Sequence, residues 1–445
     1  MSPHSVKRSL ETYARACQII PGGTQLISRR PYQLALGISP IYADHAKGSH
    51  LWDVDGNEYI DWISGIWAII LGYRDEVVDQ AVKERIEKGL NYSISSEVEV
   101  ELAEEMIRTF PSAEMVRYAK GGGDACAVAI RIARGTSGKD KVLLCGYHGW
   151  HDWYIAANLL DDGTLDEHLF PGIDPTGVPK ALRGTALPFR YGDLDMLEGL
   201  LKANQGEVAC IMMEPMRSER PPAGFLEGVR ALADRYEVFL VFDEVSCGFR
   251  CAIGGAQEYL GVTPDMSVFA KALSNGYAMG AVVGKREAME PASRMFISST
   301  YWHDTIGIVA ALTTIRELRR RNAIPRFFEI GRALREGVDE AAKQTGLAAQ
   351  SRGLECYPKI QFNIEDPLLA RKVATLYIQE MSKRGILCMT SFAVNWAHSE
   401  EDIARTVGAL KEVFGVVQGA LEAGRIDDVL ECDLRRDTFR RRMVS

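Results

Sequence analysis

In the stretch PDMSVFAKALSNGYAMGA (264–281), Lys271 is the one charge after Asp265. It closes the apolar run MSVFA and precedes a cluster of small residues. A lysine at the tip of a buried strand has its charged form disfavoured by desolvation. An amine that gives up its proton becomes a nucleophile for carbonyls and forms Schiff bases. Two other apolar runs end in acids: VFLVFDE (238–244) in Asp243 and Glu244, and VACIMME (208–214) in Glu214 before Pro215. A buried carboxylate needs a cationic partner. Taken singly, Lys271 also fits a structural ion pair, and Asp243–Glu244 also fits a metal ligand, a helix cap or an ion pair. Both together, at the ends of neighbouring strand units, narrow the choice.

One cation that suits such a carboxylate is a protonated pyridine nitrogen, the feature that makes pyridoxal phosphate (PLP) an electron sink. That cofactor needs a phosphate site. YAKGGGDACAVAIRIARG (118–135) offers Gly121-Gly122-Gly123 between a strand-like MVRYA and a helical pattern with Ala125, Val128, Ala129 and Ile132 inward. Backbone N–H groups at such a helix start can close on an anion. The spacing matches neither the dinucleotide fingerprint nor the P-loop. GYHGWHDWY (146–154) packs aromatic rings and two histidines behind the run KVLLC (141–145). Tyr147 is placed to stack on a flat cofactor. His148, His151 and Asp152 carry metal-ligand chemistry, but no clear third ligand accompanies the histidines, so no metal is expected.

The elements that must position these residues follow from periodicity. KVLLC, VACIMME, VFLVFDE and MSVFA are continuous apolar runs, with helical patterns such as GFLEGVRALADRYE (224–237) between some of them. This predicts a mainly parallel sheet covered on both faces, with ligands at the carboxyl ends of its strands. SHLWDVDGNEYIDW (49–62) predicts a hairpin about Asp55-Gly56. EVEVELAEEMIRTF (97–110) predicts a helix with Val100, Ala103, Met106, Ile107 and Phe110 inward. Residues 1–20 predict an amphipathic helix stopped by PGG (21–23). From about residue 310, long helical patterns around the strand KIQFNI (359–364) predict a smaller α+β domain. The basic tail DLRRDTFRRRMVS reads as a solvated extension or a contact with another subunit.

The chain has 445 residues and a net charge of −8, which argues against a nucleic-acid partner. Nine cysteines stand singly with no Cys-x-x-Cys pair, which predicts reduced thiols in a cytoplasm. No apolar run of about 18 residues suggests a membrane span.

Several long, ordered segments resemble aminotransferase class III, the fold-type I PLP enzymes, and within it the glutamate-1-semialdehyde aminomutase-like branch. They are LVFDEVSCGFR, TPDMSVFAKALSNGYAMGAVVG, GYHGWHDW, LWDVDGNEYIDW, EVEVELAE and PAGFLEGVRALADRY. The resemblance covers roughly residues 10 to 415. It implies an α/β fold: a large domain over 66–310 with a mainly parallel seven-stranded sheet, and a smaller α+β domain over 311–424. Residues 1–65 would pack with the small domain and 425–445 would form the basic tail. It implies that Lys271 links to PLP and moves the proton, that Asp243 holds the ring nitrogen, and that Tyr147 and Val245 cover the two ring faces. Gly122 and Gly123 would hold the phosphate, with His148 and Glu214 also at the cofactor. Thr300 would reach the phosphate of a neighbouring subunit, which implies a homodimer with shared sites. Arg29 would take a substrate carboxylate, and Trp150 would line the substrate pocket.

Against the branch pattern, the S-G-T loop is Gly121-Gly122-Gly123 and G-N-P is His303-Asp304-Thr305. The S-x-F-E segment is Ser391-Phe392-Ala393, and Gln25 and Leu26 stand near the asparagine and serine of N-S-P-V-R. These departures surround the expected substrate pocket. They favour an aminotransferase acting on an amino donor and a ketone or aldehyde acceptor. An aminomutase or a racemase is the alternative within the class, and a binding protein without catalysis is the alternative outside it.

Overall fold

The computed structural model describes residues 4–160, 165, 166, 168 and 173–436. The chain divides into two compact units. One runs Glu76–Ile324; the other takes the chain up to Asp75 and resumes at Pro325.

The unit Glu76–Ile324 is built on a seven-stranded sheet: β1 (Met115–Ala119), β2 (Lys141–Cys145), β3 (Ala186–Pro188), β4 (Val208–Met213), β5 (Phe239–Asp243), β6 (Met266–Phe269) and β7 (Gly280–Gly284). Their order is β1-β7-β6-β5-β4-β2-β3. From β6 to β3 every pairing is parallel, and β7 runs antiparallel to both β6 and β1. The apolar runs read from the sequence lie in β2, β4, β5 and β6, and they do not alternate in polarity because both faces are covered.

The two faces separate along each strand. Val142, Leu144, Cys210, Met212, Val241 and Val268 pack with Ala125, Val128, Ala129 and Ile132 of the helix Gly122–Ser137. Leu143, Cys145, Ile211, Met213, Leu240 and Phe242 pack with Phe225, Leu226 and Val229 of the helix Phe225–Arg235. Burying each such Leu, Ile or Phe contributes roughly 1.5–3 kcal/mol. Val241 and Asp243 share a strand face, because side chains alternate. Asp243 therefore belongs to the face of the glycine-started helix, while Leu240 and Phe242 belong to the opposite core.

The helix Glu97–Thr109 forms, but its inward stripe is slipped from the expected one. Val98, Leu102, Glu105 and Met106 are buried, whereas Val100 and Ile107 are exposed. An i, i+4 ridge ending at buried Phe110 sets the phase, and Glu105 follows it inward because Arg108 (2.9 Å) and Arg319 neutralise it. The helix Thr305–Arg320 belongs to this unit, where a boundary at residue 310 would split it. Its buried Ile308, Ala311, Leu312 and Ile315 lie on a helix packed against Glu76–Ile86 and Glu97–Thr109.

The other unit carries three antiparallel strands, Ala43–Lys47, His50–Asp53 and Glu58–Asp61, with Ile386–Leu387 added parallel to the last. The expected hairpin turns at Asp55-Gly56. Asp53 Oδ1 accepts the N–H groups of Asp55 and Asn57 at 3.0 and 2.8 Å, and Gly56 takes φ +88°. The helices Ala323–Thr345, Pro367–Lys383 and Glu400–Glu422 surround a second pair, Ala349–Arg352 with Lys359–Phe362. The N-terminal helix spans Lys7–Ile19 and ends before the turn Pro21–Gly23. Of the tail, Arg435 and Arg436 are tied down through their backbone N–H groups to Thr375 Oγ1 and the Tyr32 carbonyl. The basic stretch after residue 436 lies outside the described residues. No helix among the described residues is long and apolar enough to cross a membrane.

His50 bridges this unit. Its Nε2 meets Asp402 Oδ1 at 2.8 Å and its Nδ1 meets Glu58 Oε1 at 2.7 Å. The Asp402 hydrogen bond raises the imidazole above its ordinary 6.5. Burial opposes Asp402 ionisation, but hydrogen bonds from His50, Ser399 and Ser49 still hold its carboxyl low. The His50 contribution to stability is thus fully present below about pH 6.5 and lost as pH rises through the folded value. The Asp402 contribution is present above about pH 4 and lost as pH falls. His50→Gln is expected to cost about 1 kcal/mol near pH 6 and clearly less near pH 9, measured by urea unfolding at both.

Candidate active site

Adjacent strands β5 and β6 deliver Asp243 and Lys271 to one end of the sheet; Asp243 pairs with Val268 in register, three residues before Lys271. Asp243 is 3% exposed, so each of its oxygens must be satisfied by protein. Oδ1 accepts the Val245 N–H at 3.0 Å. Oδ2 accepts His148 Nδ1 at 2.7 Å and the Cys126 thiol at 3.4 Å.

Lys271 sits where the chain breaks from the strand into the turn Lys271–Ser274, with φ +49°. A left-handed lysine costs of order 1–3 kcal/mol and persists only where surrounding structure enforces it. Its Nζ donates to Ser246 Oγ at 2.7 Å. Burial of the amine pulls its pKa below the ordinary lysine value, against the opposing charges of Asp243 and Glu214. The amine is thus shifted toward its nucleophilic form while two carboxylates remain within electrostatic reach.

The glycine loop closes on the same place. Gly121 caps the helix Gly122–Ser137 without a side-chain hydrogen bond, which leaves the positive helix end to its backbone N–H groups. A Cβ on Gly122 would meet Val245 Cγ1 at 2.9 Å and Ala270 Cβ at 3.6 Å. Three segments therefore converge where only glycine fits. A Cβ on Gly149 would stand 2.7 Å from Gly123 Cα, so the aromatic loop is pressed onto the glycine loop. His151 lies beside Gly123, with Nε2 3.3 Å from Asp124 Oδ1 and a buried Nδ1 that has no hydrogen-bond partner among the described residues.

Tyr147 stands edge-on to Tyr154 at 5.8 Å, and burial, then Cys126 and Asp243, push its phenol pKa up. Its N–H donates to Glu214 Oε2 at 3.2 Å, which also receives Arg217 Nε at 3.1 Å. Burial, then the Asp243 charge, pushes the Glu214 carboxyl up. Gly146 must be glycine here: at φ +125°, its Cβ would lie 2.6 Å from Glu214 Oε2.

The structure thus gathers Gly122, Gly123, Tyr147, His148, Glu214, Asp243, Val245 and Lys271 at one end of the sheet. His148 is buried behind Asp243, in contact with its carboxylate. Trp150 is outside the set: it is 72% exposed and stacks on His151 at 4.5 Å. Thr300 lies on an exposed turn of the same unit. Arg29 is exposed at the end of the turn Ile27–Arg29, in the unit that runs up to Asp75 and resumes at Pro325. Sequence reading missed Ser246, Cys126 and the His151–Asp124 pair. Ser246 stands three residues after Asp243, a spacing that could have signalled it. Cys126 looks like one more small core residue.

The fold and these residues define a fold-type I PLP transferase. The family model for aminotransferase class III matches residues 35–414. The chain is 37% identical to the 3-aminobutyryl-CoA aminotransferase of Cloacimonas acidaminovorans (strain Evry) over 93% of this chain and 98% of that one. It is 33% identical to a glutamate-1-semialdehyde 2,1-aminomutase of Ignicoccus hospitalis over 92% and 99%. The FumI protein of Sphingopyxis sp. MTA144, solved in a PLP form, superposes with TM-score 0.85 at 25% identity, over 96% of this chain and 99% of that one. The chain belongs to the aminotransferase class III family, and its cofactor is pyridoxal phosphate.

The residues present fit that group. A bare helix start and the unpartnered Nδ1 of His151 suit a phosphate, and a buried, fully oriented carboxylate suits a ring nitrogen that carries a proton. Asp243→Asn removes the charge and keeps the size. It is expected to leave the thermal unfolding of the apoenzyme near that of the parent and to lower kcat about a hundredfold or more, a loss of roughly 3 kcal/mol. Turnover within a few-fold of the parent would move the electron-sink role to another group.

Proposed function

We propose that this enzyme transfers an amino group between two separate molecules, with a 3-aminoacyl thioester or 3-amino acid as the amino donor and a keto acid as acceptor. Bound PLP supplies an electron sink for breaking the C–H bond beside the nitrogen. Lys271 provides the amine that holds the cofactor and carries the proton between carbon positions, and its lowered basicity suits both tasks. Asp243 keeps the ring nitrogen protonated, and His148 orients Asp243. Val245 and Tyr147 confine the ring, and the N–H groups of Gly122 and Gly123 hold the phosphate.

The observation that carries the choice against an aminomutase is the setting of Ala393, which replaces the glutamate of that branch. Phe392 and Ala393 are 0% and 1% exposed. The Ala393 N–H donates to the Trp62 carbonyl at 2.6 Å, and Ser64 Oγ donates to the Ala393 carbonyl at 2.8 Å. A glutamate in this packed backbone would bury an unpaired charge, so the acid is lost structurally and not merely exchanged. The 3-amino substrate class follows the relative that shares 37% of its residues over nearly its whole length.

A single-turnover screen of PLP-loaded enzyme against 2-amino, 3-amino and thioester-linked 3-amino donors tests this reading. The 3-amino compounds should convert the cofactor absorbance fastest and require a keto acid for a second turnover. Isomerisation of glutamate-1-semialdehyde without a keto acid would establish the aminomutase instead. With a donor that carries a free carboxylate, Arg29→Lys should raise KM about tenfold, because lysine cannot reproduce a two-bond grip; an unchanged KM removes Arg29 from recognition. Lys271→Ala should bind PLP without the borohydride-reducible link, and peptide mapping of that link to another lysine would reassign the role.

Thr300 supports a homodimer in which each chain completes the phosphate site of the other. It lies on an exposed turn beside Phe296 and Tyr301, which are 85% and 66% exposed. Dilution should lower PLP occupancy and activity together; a fully active monomer by sedimentation would overturn the shared site. The nine free cysteines suit a reducing cytoplasm.

A further inference from the structure

We propose that Cys126 is a positioning residue for Asp243: its thiol donates to Oδ2, aims the carboxylate, and ties it to the helix that begins at the glycine loop. The proposal rests on the assignment of Asp243 to the ring nitrogen.

Three observations meet at this sulfur. It lies 3.4 Å from Asp243 Oδ2, the same oxygen that takes His148 Nδ1 at 2.7 Å. The ligating atoms of Cys126, His148 and Asp243 lie within 4.8 Å of one another, and all three residues are buried. Cys126 stands three residues after Gly123, about one turn along the helix whose N–H groups start at the glycine end. One thiol therefore spans the two anchors that a phosphate-bearing pyridine needs.

Thiol chemistry suits the task. Burial, then the Asp243 charge, keeps the Cys126 proton on well above the ordinary thiol range. A protonated thiol is a weak donor, and donation to a carboxylate favours its charged form. His148 leaves room for this second donor: its own outer nitrogen, Nε2, is buried without a hydrogen-bond partner among the described residues, so the imidazole is committed to Asp243 through Nδ1 alone. Oδ1 is already taken by the Val245 N–H. With His148 and Cys126 on one oxygen and Val245 on the other, the carboxylate has a single rotamer. Without the thiol, Oδ2 keeps one donor, and its tie to the glycine helix is gone.

The test uses PLP-loaded enzyme and the variants Cys126→Val, Cys126→Ala and Cys126→Ser. Valine fills nearly the same space without a donor, alanine opens a small gap without one, and serine restores a donor. The first readout is the pH midpoint of the visible absorbance change of the bound cofactor; the second is the dissociation constant for PLP. A carboxylate free to turn away from the ring nitrogen supports its proton less, so the ring draws electrons less strongly from the nitrogen joined to Lys271. Valine and alanine should therefore raise the midpoint by about half a unit and weaken PLP binding about fivefold. Serine should stay with the parent in both. A midpoint that stays with the parent in valine and alanine alike overturns the proposal, as does a serine variant that behaves like valine. Asp243→Asn is the control: if it too leaves the midpoint unchanged, the assignment of Asp243 falls with the proposal. If it shifts the midpoint and the Cys126 variants do not, the proposal alone falls.

Discussion

A carboxylate buried at the end of an apolar strand is the constraint on which this site depends. Asp243 ends a strand whose preceding residues, Leu240, Val241 and Phe242, are fully buried. An ionised acid there is tolerable only with several donors and a nearby cation. The sheet holds two more acids at the same end, and each is satisfied differently. Glu214 receives Arg217 and the Tyr147 N–H. Glu244, next to Asp243 in the chain, receives the N–H of Ala256 and the Gln257 side chain at 2.5 and 2.9 Å, and burial pushes it up to about 7. Glu244 thus ties down the start of the helix Gly255–Leu260, whereas Asp243 shares its face with the glycine-started helix.

Close backbone approach is the second constraint, and it explains the glycines better than flexibility does. Gly122 is pinned between Val245 and Ala270, Gly149 lies against Gly123, and Gly146 lies against Glu214. These contacts lock the loops after β1, β2, β4, β5 and β6 to one another. The strained backbone at Lys271 persists in this setting because Ser246, on the neighbouring loop, holds its amine. Rigid loops on strand ends place reacting groups more reproducibly than a mobile segment would.

The sequence made the strand ends and their chemistry legible, because continuous apolar runs that stop in Lys, Asp or Glu are rare and physically costly. It made the helix start legible through three consecutive glycines. The phase of the helix Glu97–Thr109 was not legible: buried Glu105 looks like a surface residue until Arg108 and Arg319 are seen beside it. The unit boundary was misread at residue 310 because the helix Thr305–Arg320 looks like its successors, and only its packing against Glu76–Ile86 assigns it. Cys126 was invisible for a different reason. Its partner lies 117 residues away, and a small apolar residue in a helix carries no pattern of its own. The roles of Arg29 and Thr300 came from resemblance alone, since both are exposed and neither has a local signature.

The same burial that makes the amine reactive also makes the acid need a cofactor. Desolvation draws Lys271 toward its neutral form, and in that form it no longer offsets the charge of Asp243. His148 and the Cys126 thiol orient Asp243 through hydrogen bonds to Oδ2. A buried carboxylate on the face of the glycine-started helix calls for a cationic partner. A pyridine nitrogen that keeps its proton would supply it, and a phosphate on the same molecule would suit the positive end of that helix. On the proposed assignment, charge complementarity would hold the cofactor at both ends, through Asp243 and through the N–H groups of the glycine loop.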